Sequence, residues 1–386
     1  MYNTEKLYEL DSYMKTFEAT VLFQEQNADG TYTVILDKTA FFPEEGGQAS
    51  DTGTLAGIRV TKVRISGGEI RHTIESPLKV GFTVQGVIDF DVRLEKMQCH
   101  TAEHIVCGLI HREFGFDNVG FHLGDFDVIF DVSGVLTREE LDRIEDMANE
   151  VVLENLPICA YYPTPSELSS MTYRAKLDLT DGVRIVKIGE IDACACCAPH
   201  LSSTGQVGQI RLLEFEKHRG GTRIRLLAGK RALVESRRVF KENYAVACEL
   251  SVTQYETLEA VKKLQTEISS LKYKLKEQTK REMRREAEHF SASEKYAVLV
   301  FEDADTDALR AFSNAAVSKC NGALVLVVDD GQTRRMLLSS EKLPLKQMLL
   351  GMREQLAFHG GGSDCMLSGS TGAGIEQIRA YFASLA

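Results

Sequence analysis

Apolar and polar positions alternate in short runs over roughly the first ninety residues. Residues 31–36, 58–65 and 82–90 each carry the two-residue period of a half-buried strand. Turn-forming clusters separate these runs: Asn27-Ala28-Asp29-Gly30, Gly46-Gly47, Asp51-Thr52-Gly53 and Gly67-Gly68. Short strands at regular spacing predict a small N-terminal β-barrel over residues 1–90. The period changes at Asp91. Residues 91–114 read as a helix, with Met97, Ile105, Leu109 and Ile110 as apolar positions and Gly115 as the stop. A strand pair is predicted across 119–132. An amphipathic helix follows over 137–153, where Thr137 as N-cap and Glu140 three residues on form a capping box. Residues 183–191, 207–215 and 223–228 read as strands, so 91–230 predicts an α/β domain.

Residues 231–290 contain neither Gly nor Pro and predict a helical linker. Leu258, Val261, Leu264, Ile268, Leu271 and Leu275 recur at steps of three and four, with charges between them. That spacing suits a coiled-coil seam or one long helix packed on a neighbour. Beyond it, strand-like runs at 296–301 and 323–329 alternate with helical runs at 307–319 and 375–385, a C-terminal α/β domain over 291–386. The expected class is therefore a mixed α+β and α/β multidomain protein.

Composition narrows the setting. Hydrophobic residues make up 44% and charged residues 26%, the balance of an ordinary soluble chain with a core to bury. No apolar run reaches the ~18 residues of a membrane helix. The N-terminal segment lacks the basic start and apolar middle of a signal peptide. A cytoplasmic protein without membrane partners is expected. Most of the nine cysteines stand singly, as Cys107, Cys159, Cys248 and Cys320 do, and read as isolated thiols; Cys194, Cys196 and Cys197 form a cluster. The net charge of −11 argues against indiscriminate nucleic-acid binding. A local basic face is still available: Lys217, Arg219, Arg223, Arg225, Lys230, Arg231, Arg237 and Arg238 stand in one stretch with Glu235 as its only acid. The same stretch reads equally as a solvated charged surface.

Two motifs about ninety residues apart carry the strongest chemistry. In His100-Thr101-Ala102-Glu103-His104, a helix places the two imidazoles one above the other on a single face. In Cys196-Cys197-Ala198-Pro199-His200, a turn-rich stretch offers a thiolate and a further imidazole. Together they supply soft and borderline donors suited to one tetrahedral Zn2+. Cys194 and Cys197 are rival thiolates that spacing does not eliminate. The first motif also satisfies the H-x-x-E-H pattern of a zinc peptidase, with Glu103 as general base, but that reading leaves the cysteine segment without a role.

Read with a third segment, these motifs resemble a known family. LDKTAFFPEEGGQASDTGTL, residues 36–55, is similar to the glycine-rich motif of alanyl-tRNA synthetase editing domains and their freestanding relatives. The order also matches: glycine motif, H-x-x-x-H, C-x-x-x-H, then the turn Thr204-Gly205-Gln206-Val207-Gly208. The resemblance covers residues 1 to about 230 and selects Cys196 as the thiolate ligand. His359-Gly360-Gly361-Gly362-Ser363-Asp364, with Gly369, Gly372 and Gly374 after it, resembles the glycine-rich signature of the DHH-associated C-terminal domain. A helical linker followed by that domain is the layout of the long freestanding form. Two departures stand out. Glu45 replaces the first of three glycines often found before the Gln, and Ala198 and Pro199 stiffen the metal turn.

The resemblance implies hydrolysis of the ester that joins a wrong amino acid, serine or glycine, to tRNA for alanine. It implies zinc held by His100, His104, Cys196 and His200. Gln48 would position water or the carbonyl, and Thr39 and the loop around Phe121 and His122 would line the pocket. Lys217, Arg219, Arg223, Arg225 and the glycines Gly360, Gly361 and Gly362 are the candidates for tRNA contact. Self-association through the linker or the C-terminal domain would make a homodimer. Only about forty residues precede the glycine motif, so the chain is expected to correct but not to charge. The rival readings are the zinc peptidase and a non-catalytic tRNA-binding module whose zinc is structural. A phosphoesterase lacks support, since no Asp-His-His triplet occurs.

Overall fold

In the computed structural model, six strands close into a barrel in the order Thr16–Gln26, Tyr32–Leu36, Glu69–Ile74, Ile58–Ser66, Gly53–Leu55 and Thr83–Ile88. Residues 2–124, 127–175, 182–331 and 333–385 are described. Alternation builds the interior. Ile70, His72 and Ile74 point inward on one strand, and Val84 and Ile88 on another. Between the inward residues of the last strand sits Gly86, where a Cβ would lie 2.3 Å from the Phe17 ring. Val21, Val34, Leu36, Phe41, Phe42, Leu55, Val60 and Val63 complete this core. Three of these strands, Thr16–Gln26, Gly53–Leu55 and Glu69–Ile74, go beyond the runs that alternation picks out in the sequence.

The helix Phe90–Phe114 leaves the barrel and ends on Gly115 in the left-handed region (φ 70°). Nearly every residue from Lys96 to Ile110 is buried, so the helix has no strong polar face and runs through the middle of a second core. Around it stand a four-stranded sheet, ordered Ile210–His218, Gly221–Ala228, Val128–Val132, Asn118–Leu123, and a three-stranded sheet, Ile158–Tyr161, Ile185–Ile188, Asp192–Ala195. The strand pair expected over 119–132 includes residues 125 and 126, which lie outside the described residues; the strands on either side pair antiparallel. The helix Arg138–Glu154 opens on the expected capping box: Thr137 Oγ1 accepts from Glu140 N (3.2 Å) and Glu140 Oε2 from Thr137 N (2.8 Å). Thr204–Val207 forms a 3-10 turn within the turn expected at 204–208, where Thr204 Oγ1 donates to Val151 O and accepts from Leu156 N and folds the segment onto that helix; the strand expected from Val207 begins only at Ile210.

By contacts the chain divides into two compact units, Met1–Glu242 and Asn243–Ala386. The barrel and the helix-centred core belong to the first. The expected continuous linker helix is two helices, Gly229–Glu249 and Thr257–His289. Between them Ser251 takes a positive φ of 54°, and Glu256 folds back to accept from Thr253 N and Oγ1. In the second unit a five-stranded sheet is ordered Tyr296–Phe301, Ala323–Asp329, Arg334–Ser340, Met366–Thr371, His359–Gly362, with only the first pair parallel. Within the strand Ala323–Asp329, residues 323–328 are all apolar because cores lie on both faces: Val325 and Val327 join one, Leu324, Leu326 and Val328 the other.

Candidate metal centre

One helix builds half of the centre and holds the loop that borders it. Arg93 and Lys96, on successive turns of Phe90–Phe114, reach the glycine-rich segment. The buried Arg93 pairs with Asp51 and donates to Ala40 O; Lys96 Nζ donates to Ser50 O (2.7 Å) and Ala49 O (3.3 Å). One turn on stand His100 and then His104. The segment they approach is a tight turn: Glu45 and Gln48 exchange backbone hydrogen bonds, and Gly46 and Gly47 between them take φ of 62° and 88°. At Gly47 a Cβ would meet Phe121 O at 2.4 Å, so the turn lies flat on the strand Asn118–Leu123, where Leu123 N donates to Gly47 O (2.8 Å).

The ligand atoms of His100, His104, Cys196 and His200 all lie within 4.8 Å of one another. Cys196 Sγ stands 3.4 Å from His200 Nε2 and 3.7 Å from His100 Nε2. A tetrahedral zinc with ordinary Zn–N and Zn–S bonds has an N···S edge of about 3.6 Å, so the donor set fits such an ion. Each imidazole has its outer nitrogen committed. His100 Nδ1 donates to Gln48 Oε1 (2.8 Å), His104 Nδ1 to Asp192 Oδ2 (3.0 Å) and His200 Nδ1 to Thr101 Oγ1 (3.1 Å). All three Nε2 lone pairs are thereby turned toward the common point. Asp192 is itself gripped by Arg174, at 2.7 and 2.9 Å, and its pKa is lowered by the His104 and Arg174 hydrogen bonds against the cost of burial. Burial and the other two histidines depress His200 well below the usual imidazole range. Desolvation and the neighbouring thiols push the Cys196 thiol well up. Neutral imidazoles suit a cation, and a cation would reverse the penalty on the thiolate.

The rival thiols have other surroundings. Cys194 groups with His104 and Asp192. Cys197 faces the turn, with its Sγ 3.7 Å from where a Cβ on Gly46 would stand; burial and then Glu45 push its pKa up to about 12. Glu103 lies outside the ligand group. Its Oε1 accepts from Asn118 Nδ2 and from the Cys107 thiol (3.2 Å), which removes the general base the peptidase reading requires. Gln48 is fully buried; with Oε1 on His100, its Nε2 has no protein partner among the described residues. Thr39 is buried inside the barrel, its hydroxyl donating to His72 Nε2 (2.9 Å) and accepting from Phe41 N (3.1 Å). His72 Nδ1 donates to Val34 O, and burial lowers its pKa to about 4. Phe121 stacks on His100 at 4.6 Å, whereas His122, on the other side of the strand, is exposed.

The basic stretch runs from a hairpin into the helix Gly229–Glu249, and many of its charges are answered by acids outside it. Arg223 pairs with Asp131, Arg225 with Glu214 and Asp127, and Lys230 with Glu95. Lys217 is exposed, as is Arg219, which has a positive φ of 46° at the turn. Gly360, Gly361 and Gly362 form an edge strand rather than a loop, paired on one side with Met366–Thr371. Asp192, Arg174, Thr101 and His72 escape a sequence reading, since each acts through a partner that only the fold brings near.

Comparison with known proteins agrees with this geometry. Residues 183–225 match the threonyl and alanyl tRNA synthetase second additional domain, and residues 3–92 match the class II (A) tRNA synthetases. The chain is 32% identical over 292 residues to an alanine–tRNA ligase of Ignicoccus hospitalis, covering 72% of this chain and 32% of the ligase. It spans about a third of the length of such ligases. It is 38% identical over 234 residues to the alanyl-tRNA editing protein AlaX-M of Methanosarcina mazei, covering 55% of this chain and 91% of that one. To AlaX-L of Pyrococcus horikoshii it is 26% identical over 397 residues, covering 97% and 96%. A barrel joined to a His/Cys group, two of whose members stand on one helix, with these matches, defines a module of the synthetase additional-domain type. Within that class, the chain belongs to the family of alanyl-tRNA editing proteins.

Proposed function

We propose that the protein is an aminoacyl-tRNA deacylase that hydrolyses the ester of mischarged tRNA for alanine, seryl-tRNA first and glycyl-tRNA second, with one Zn2+. The observation that carries this is the convergence of three Nε2 atoms and one Sγ within 4.8 Å, beside a buried glutamine amide that has an uncommitted N–H pair. His100, His104, Cys196 and His200 hold the ion, which supplies Lewis acidity and fixes the geometry of the pocket. Gln48 orients His100 through its carbonyl and offers its amide N–H to the developing charge on the ester carbonyl oxygen. Thr39 acts from the barrel side, its hydroxyl direction set by His72. The activity answers a limit on selection: serine differs from alanine by one hydroxyl and glycine by one methyl, and an apolar synthetic pocket rejects such neighbours weakly.

Lys217, Arg219, Arg223, Arg225 and the Gly360–Gly361–Gly362 edge are the proposed tRNA contacts, and the exposed linker seam the proposed homodimer contact. The four-part domain division belongs to the same proposal. No helix among the described residues is long and apolar enough to cross a membrane, and we assign the protein to the cytoplasm. Four protein ligands also form the closed shell of a structural site, which favours a second reading as a non-catalytic tRNA-binding module. One assay separates the two. The deacylase releases serine from seryl-tRNA for alanine and His104→Ala abolishes the release; a structural module binds the charged tRNA and leaves its ester intact.

A further inference from the structure

The three-stranded sheet of the first unit ends in a row of residues that reaches the metal turn. Tyr161 pairs with Ile185 and Ile185 with Ala195, so the next row across is Tyr162, Arg184 and Cys196. Cys196 N donates to Arg184 O at 3.0 Å, which carries the pairing one step past the last ladder pair. Arg184 then clasps the turn with its side chain: Nη1 donates to Cys196 O (3.0 Å) and Ala198 O (2.9 Å). The residue is 6% exposed, yet among the described residues no carboxylate pairs with it and its remaining N–H groups have no acceptor. A nearly buried guanidinium without a counter-charge is costly, and its fork of donors matches a phosphate.

Tyr162 supplies the complement. Its Oη donates to Glu9 Oε2 at 2.7 Å, which pins the ring, while the residue stays 53% exposed. Glu9 is answered in turn by Lys6 Nζ at 3.2 Å. Tyr162, Lys6 and Glu9 line an open groove of about 400 Å3 with Asn3, Thr4 and Glu5. A cation beside a fixed, exposed ring is the pattern that holds single-stranded nucleic acid, with charge on the backbone and a π-face under a base. We infer that Arg184 and Tyr162 form a subsite for the single-stranded 3′ end of tRNA, with a backbone phosphate on the guanidinium and a base on the ring. It rests on the deacylase reading, which puts the scissile ester at the end of that strand, beside the turn that Arg184 clasps.

The test is titration calorimetry on the full chain with two uncleavable probes. One is 3′-amino-3′-deoxyadenosine bearing serine through an amide. The other carries the same residue at the 3′ end of the trinucleotide CCA, which adds two phosphates and two bases. The wild type is expected to bind the trinucleotide at least tenfold more tightly. Tyr162→Ala cuts that advantage about tenfold, whereas Tyr162→Phe, which keeps the ring, holds it within about threefold. Arg184→Met, with zinc content unchanged, flattens the slope of log affinity against log salt by about 0.7, the share of one phosphate on a single strand. Equal affinities on the wild type overturn the inference. So does an advantage that survives Tyr162→Ala, a result that stands even where Arg184→Met loses zinc or fails to fold. An unchanged slope in zinc-replete Arg184→Met overturns it too, as does cytidine 5′-monophosphate binding as tightly as the trinucleotide, which assigns the groove to free nucleotides. Serine release from seryl-tRNA for alanine alongside equal affinities spares the deacylase reading. The trinucleotide preference without any serine release removes that reading and leaves the subsite on a binding module.

Discussion

Asp192 shows how the metal group is held at the level of single residues. Its carboxylate fixes the His104 tautomer on one side and takes a paired hydrogen bond from Arg174 on the other. Asp192→Asn keeps the shape but removes the charge that answers Arg174. Zinc affinity is expected to fall by about tenfold to a hundredfold in chelator competition, and an unchanged affinity would count against the orienting role. His72 makes a separate prediction on stability. In the folded barrel its pKa is about 4, against about 6.5 when unfolded. Between those values the unfolded chain takes up a proton that the folded chain refuses, so stability is full above pH 6.5 and is lost as pH falls toward 4. The loss is on the order of 3 kcal/mol. In urea titrations at pH 7 and pH 4.5, His72→Asn is expected to show a smaller drop between the two than the wild type; an equal drop would assign the acid sensitivity elsewhere.

At the scale of elements, the close seating of the Glu45–Gln48 turn on the strand Asn118–Leu123 fixes where Gln48 stands. Gly47→Ala places a Cβ 2.4 Å from Phe121 O at a φ of 88°, so the turn must lift. Deacylation is expected to fall at least tenfold with zinc still bound, and full activity would show that the seating is dispensable. Thr137→Ala removes one capping hydrogen bond far from the centre and is expected to cost about 1 kcal/mol in denaturant midpoint with activity unchanged. The element scale also shows what a sequence can and cannot disclose. His100 and His104 are legible because one helical turn is a local rule, and the Thr137 cap because Glu140 is three residues away. The choice among Cys194, Cys196 and Cys197 is not local. Spacing leaves all three open, the family resemblance selects Cys196, and the fold groups its sulfur with the three imidazoles. The partners of Arg223 and Arg225 are equally non-local. A sequence window with a single acid reads as a basic face, while Asp131 arrives from the neighbouring strand Val128–Val132 and Asp127 from the position just before it. The glycines at 360–362 are legible in sequence only as a family-like signature; in the fold Gly360 and Gly362 lie close against the backbone of Met366–Thr371, while Gly361 faces open space.

At the scale of the molecule, the helix Thr257–His289 leaves its seam open. Leu258, Leu264, Ile268, Leu271 and Leu275 are each between 45% and 65% exposed, at coiled-coil spacing. Sedimentation of the wild type is expected to give a concentration-dependent dimer that Leu264→Glu with Ile268→Glu dissolves; a monomer at all concentrations would leave the seam without that role. The central proposal is that four side chains from two distant motifs of the first unit hold an ion needed for ester hydrolysis. Its most direct test is zinc content measured alongside serine release from seryl-tRNA for alanine, in native, metal-stripped and zinc-restored protein. One zinc per chain is expected, with release lost on stripping and regained on restoration. Full release from protein shown to contain no metal would contradict the account.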